Sequence, residues 1–184
     1  STSADQPFEI RVANSTSPAL RFASVDAVVT SPPYCTRIDY TAATRVELAL
    51  IAPFASINAM ELGRMMLGST RVPVSHIDFD ESWGPSCLRF LREVSKHPSK
   101  ASNGYYLKTH LDYFDKIARS MTAISASLKP KAEAILVVQD SFYKDVHNDL
   151  PLHLTQIAER RRLVLKQRLD FAVRRSMSGI NPKS

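Results

Sequence analysis

A mostly apolar run, Val25-Asp26-Ala27-Val28-Val29-Thr30, leads directly into Ser31-Pro32-Pro33-Tyr34. This junction constrains the fold more than any other part of the chain. The run reads as a short strand of the kind that parallel sheets bury on both faces. Pro32 ends it, because proline has no N–H to give the ladder. Pro33 restrains Pro32 to extended geometry. A stiff loop therefore stands at the carboxyl end of a strand, where open α/β sheets bind ligands. The plainer reading of the same residues is a Pro-Pro turn with Tyr34 simply packed.

The segment Val25 to Tyr40, VDAVVTSPPYCTRIDY, closely resembles the catalytic segment of bacterial amino-group DNA methyltransferases. The resemblance continues through Leu128-Lys129-Pro130, Ala134 to Val138, Gln139-Asp140-Ser141 and the tail Asp170 to Pro182, stretches spread over most of the chain's length. It implies an α/β fold, an incomplete Rossmann-like class I methyltransferase sheet with flanking helices. It also implies S-adenosylmethionine as cofactor, DNA as substrate, a restriction-modification or phage-defence setting and a cytoplasmic location. By the same resemblance Ser31, Pro32, Pro33 and Tyr34 are the catalytic residues, and Asn14 and Ser15 lie near the adenine side of the cofactor. Arg37, Asp39 and Tyr40 help shape the pocket or the DNA path; Arg174, Arg175 and Ser176 read, from their charge and their place after a strand end, as a contact for the DNA. Serine in the first position is more typical of N4-cytosine than of N6-adenine enzymes, so cytosine N4 is favoured.

The chemistry of such a loop can be argued from its atoms. The amino nitrogen of cytosine or adenine is a poor nucleophile, since its lone pair is delocalised into the ring. Two acceptors aimed at its two hydrogens favour the pyramidal, more nucleophilic form. Ser31 offers its hydroxyl oxygen, Pro32 its carbonyl, and Tyr34 a ring on which an extruded base can stack. Fixed acceptors need little reorganisation during reaction.

One departure from the family matters. Its members bind the methionine end of the cofactor on a glycine-rich F-x-G-x-G loop, where a side chain would block the approach of backbone to ligand. The five glycines here are Gly63, Gly68, Gly84, Gly104 and Gly179, with no two adjacent or one residue apart. That loop is absent, and the chain opens at Ser1 just upstream of what reads as a mid-domain strand. The expectation is a fragment, or one subunit of a split enzyme whose second subunit or missing segment carries the glycine-rich loop. A relative that serves as a DNA-binding or assembly subunit without catalysing stays open. An RNA or protein-amide methyltransferase is weaker, because protein-glutamine enzymes with a similar loop usually carry Asn in place of Ser31.

Composition sets limits. A chain of 184 residues, 44% of them hydrophobic, supports one core rather than two. No apolar stretch approaches the roughly 18 residues of a membrane span, and Ser1 to Pro7 lacks a signal-peptide pattern. Cys35 and Cys87 give neither a disulfide framework nor metal spacing. Cys35 reads as a packing residue, and no metal site is expected: His76 and His97 stand alone, and Asp78, Asp80 and Glu81, which could mimic a site, read as exposed loop acids. Of the 24 lysines and arginines, eight lie from Arg160 to Ser184 with one acid, Asp170; the other 159 residues hold sixteen basic and seventeen acidic side chains. The whole +6 charge thus sits at the C-terminal end, which suits phosphate binding. The run Arg160-Arg161-Arg162 is equally well a solvated helix end.

Strands are expected at Phe8–Ala13, Val25–Thr30 and Ala134–Val138, with a half-solvated edge strand over Leu163–Phe171. Helices are expected over Thr41–Ile51, within 54–68, from Leu107 to Leu128 and from Leu152 to Arg162. Residues 1–184 read as one catalytic part, with 53–104 a loop-rich insertion for target recognition or partner contact, marked by turn signals such as Trp83-Gly84-Pro85.

Overall fold

The structure, a computed structural model, describes residues 8–18, 20–35, 38–55, 58–69 and 76–171. The chain is mixed α/β. Strands β1 (Val25–Thr30) and β2 (Leu128–Leu136) pair in parallel, with Ala27 opposite Glu133 and Thr30 opposite Leu136. Between them run α1 (Tyr40–Ala43), α2 (Arg45–Ala55), α3 (Ala59–Met65), α4 (Pro85–Lys96) and α5 (Leu107–Ser127). A hairpin of β3 (Ser141–Tyr143) and β4 (Val146–Asn148) follows, and then α6 (Leu150–Glu159).

The core lies among α4, α5 and α6. Leu107, Leu111, Phe114, Ala118 and Met121 recur at helical spacing on α5 and are all buried. α4 adds Cys87, Leu88, Phe90, Leu91 and Val94, and the 3₁₀ turn before it adds Trp83. α6 contributes Leu150, Leu154 and Ile157. Leu136 and Val138 press one face of the sheet against this cluster.

The second half of 53–104 therefore corrects the expectation of a loop-rich insertion. The Trp83-Gly84-Pro85 turn signal is a helix start: Gly84 is the N-cap with φ +92, and Pro85 opens α4. A Cβ at Gly84 would stand 2.6 Å from Gln156 Oε1, the oxygen that accepts from the Ser86 amide at 3.0 Å. α6 thus caps α4, and the close approach requires glycine.

Other expectations also change. The helix from Thr41 breaks at Thr44, and α2 runs on past Pro53, which costs one backbone bond in the final turn. Phe8–Ala13 and Leu163–Phe171 carry strand patterns but form no strand: among the described residues neither pairs with another strand. β1 is not buried on both faces. Val28 and Thr30 are half-buried, whereas Val29 is 73% exposed beside Ile135 at 55%. Val137 is exposed just beyond β2, so one face of the parallel pair is bare. On α2, Val46, Leu50 and Phe54 form an exposed apolar stripe.

Opposite Val25–Ala27, β2 bulges between Leu128 and Glu133, and Lys131 takes φ +70. The lysine thereby adopts the left-handed conformation that glycine adopts without cost.

Candidate functional site

The Ser31-Pro32-Pro33-Tyr34 loop leaves the carboxyl end of β1 and is held at three points. The Ser31 hydroxyl donates to the Val137 carbonyl at 3.1 Å. The Tyr113 phenol, from α5, donates to the Pro33 carbonyl at 2.9 Å. At Gly68, with φ +75, a Cβ would come within 2.9 Å of the Tyr34 carbonyl oxygen. The Gly68 turn is itself anchored: Lys116 Nζ donates to the carbonyls of Arg64 at 2.7 Å and Met66 at 3.2 Å, and pairs with Asp112 at 2.7 Å. Burial holds the Asp112 carboxyl above its usual range against the pull of Lys116.

Behind the loop the packing is tight. The void lined by Cys35, Gly68, Ser69, Thr109, His110 and Tyr113 measures about 10 Å³, room for one water at most. Burial pushes the Cys35 thiol up to about 12, opposed by the Asn148 side chain, so it stays protonated and acts as packing. Burial likewise raises the Tyr113 phenol, which remains a donor.

In front, the loop presents acceptors. The proton of Ser31 is committed to Val137, so its exposed oxygen keeps only lone pairs to offer. Among the described residues none donates to the Pro32 carbonyl. Tyr34 remains 40% exposed. Two acceptors and an accessible ring on a clamped backbone suit a planar group bearing an NH₂.

The remaining expected residues divide. The Asp39 carboxylate caps α1, accepting from Thr41 Oγ1 at 2.7 Å and the Ala42 amide at 3.0 Å, which gives it a structural duty. Tyr40 opens α1 and is half-buried. Asn14 folds its side chain into a local turn, accepting from Thr16. Ser15 meets Ser120 on α5 at 3.2 Å, about 10 Å along the helix axis from Tyr113. The structure does not gather Asn14 and Ser15 around the loop; the residues that follow them, Thr16 to Pro18, line an open cleft of about 430 Å³ with Phe22 and Arg119 among others. Asp140 pairs with His147 at 2.9 Å, and Ser141 turns into the hairpin to accept from Asn148. Arg37, Arg174, Arg175 and Ser176 lie outside the described residues, as does most of the C-terminal tail.

The basic run divides as well. Arg161 is a brace: its guanidinium donates to the carbonyls of Ala118 at 2.8 Å and Ile157 at 3.0 Å and to Thr122 Oγ1 at 2.9 Å. Arg160 and Arg162 are exposed.

No family model, curated protein or solved structure matches this chain.

The described residues do not fit an S-adenosylmethionine cradle. Gly68 is occupied by the Tyr34 carbonyl and Gly84 by Gln156, while a Cβ at Gly104 would meet nothing within 4 Å. Among the described residues, no group of three or more His, Cys, Asp or Glu is placed to hold a metal ion. No helix among them is long and apolar enough to cross a membrane. Sequence reasoning missed Tyr113 and Gly68 as supports of the loop. The apolar spacing of α5 could have placed Tyr113 in the core, but nothing local to it points to Pro33.

Proposed function

We propose that this chain is the base-holding part of a DNA amino-methyltransferase that uses S-adenosylmethionine, with cytosine N4 the favoured acceptor. The observation that carries the reading is the clamped loop: Ser31 with its proton committed to Val137, Pro32 with its carbonyl unengaged among the described residues, and an accessible Tyr34. An extruded base stacks on Tyr34. Ser31 Oγ and the Pro32 carbonyl accept its two amino hydrogens, which draws the nitrogen toward the pyramidal form and localises its lone pair. The acceptors are fixed before the base arrives, so this costs little reorganisation.

The cofactor belongs to a second polypeptide or a missing segment of a Rossmann-like sheet. The bare sheet face at Val29, Ile135 and Val137 supports this, because parallel strands are ordinarily covered on both faces. A two-stranded sheet is also marginal alone. The lack of a fitting glycine cradle equally favours a second reading, a DNA-binding or assembly subunit that does not catalyse.

The test is incubation with unmethylated DNA and labelled S-adenosylmethionine, with the partner polypeptide present, followed by nucleoside analysis. N4-methylcytosine is expected. N6-methyladenine would move the target to adenine, and DNA binding without any transfer would favour the second reading.

A further inference from the structure

We infer that Tyr113 is a positioning residue that decides which proline carbonyl of the loop is offered to a base; this rests on the base-holding reading above. The loop brings three oxygens into sequence, Ser31 Oγ and the carbonyls of Pro32 and Pro33, whereas an exocyclic amino group has two hydrogens. Tyr113 removes the third acceptor. It is 1% exposed and its phenol donates to the Pro33 carbonyl at 2.9 Å. With the Pro33 carbonyl engaged by α5, the Pro32 carbonyl is the one that no described residue occupies. Gly68 holds the next unit, with no room for a Cβ beside the Tyr34 carbonyl. Lys116 fastens the Gly68 turn to α5 one helical turn beyond Tyr113. A single helix therefore sets both the loop and its backstop.

The experiment is Tyr113→Phe, which keeps the ring and removes the donor. It has two readouts. On the full chain alone, the ¹³C resonance of the Pro33 carbonyl should move and the Cys35 thiol should react with a maleimide several-fold faster. With the cofactor-bearing polypeptide added, single-turnover methyl transfer should fall at least tenfold while the KM for DNA holds, because misplacement by about 1 Å carries a cost of that size or more. Gly68→Ala should give the same split from the other side of the loop, and serves if Tyr113→Phe fails to fold. A shifted Pro33 carbonyl with unchanged transfer would overturn the positioning role. No transfer by the unaltered chain would instead remove the base-holding reading itself.

Discussion

The Ser31 hydroxyl donates to the Val137 carbonyl at 3.1 Å, and the Val137 amide donates to the Thr30 carbonyl at 3.0 Å. The first residue past β1 is thus fastened to the first residue past β2. The contact is exposed, and a single neutral hydrogen bond contributes about 1 kcal/mol. Ser31→Ala should lower stability in urea by about that amount and leave the circular dichroism spectrum unchanged. A collapse of the fold would show that the serine is chiefly structural.

Lys116 is different, because it is buried with all three donors used. Lys116→Met leaves the buried Asp112 carboxyl without its partner and strips the last carbonyls of α3 of their donor. Breaking one partner of a buried pair costs roughly 3–5 kcal/mol, which denaturant titration at neutral pH will read. Replacing both, Lys116→Met with Asp112→Leu, should recover part of that loss, since no buried charge remains; a double variant weaker than the single one would contradict this.

His153 makes stability depend on pH. It is 2% exposed, packs against the rings of Phe90 and Phe114, and meets Ser86 Oγ at 2.7 Å through Nδ1. Burial lowers it to about 4 from an ordinary 6.5. The unfolded chain then takes up a proton first as pH falls. The stabilisation is complete above about 6.5 and is lost between there and about 4, amounting to roughly 3 kcal/mol. The denaturation midpoint should fall over that window, and His153→Gln should flatten the fall. An equally steep profile in the variant would place the titration elsewhere.

Lys131 sits exposed at φ +70 in the bulge of β2. A left-handed conformation costs a side-chain-bearing residue about 1–2 kcal/mol, offset in part by the greater chain entropy of glycine. Lys131→Gly should therefore raise the melting temperature slightly, whereas Lys131→Ala should not. A fall with glycine would mean that the bulge does not need that backbone conformation.

Much of the fold was legible wherever one element carries its own signal. α5 showed its apolar period, and β1 was delimited by Pro32. α4 was missed: Cys87, Leu91 and Val94 keep helical spacing, but the Gly84-Pro85 pair that opens the helix also signals a turn and reads as one. Phe8–Ala13 and Leu163–Phe171 have the alternation of strands, but alternation specifies a strand only when a neighbouring strand can pair with it. In the site, the residues that offer acceptors were visible in the sequence. Those that aim them were not, because Tyr113 meets Pro33 and Gly68 meets Tyr34 through tertiary contacts that no local pattern encodes. The capping of α1 by Asp39 was hidden for a related reason: an acid's capping duty is visible only once the helix start is placed.

The most direct measurement of the central claim is methyl transfer from labelled S-adenosylmethionine to unmethylated DNA by three samples: this chain alone, this chain with the polypeptide that carries the glycine-rich loop, and the same mixture with Ser31→Ala. The account predicts transfer only in the second, with the third reduced on the order of 10²–10³-fold, as for loss of a preorganised polar group. Undiminished transfer with Ser31→Ala, or none in the mixture while DNA still binds, would contradict it.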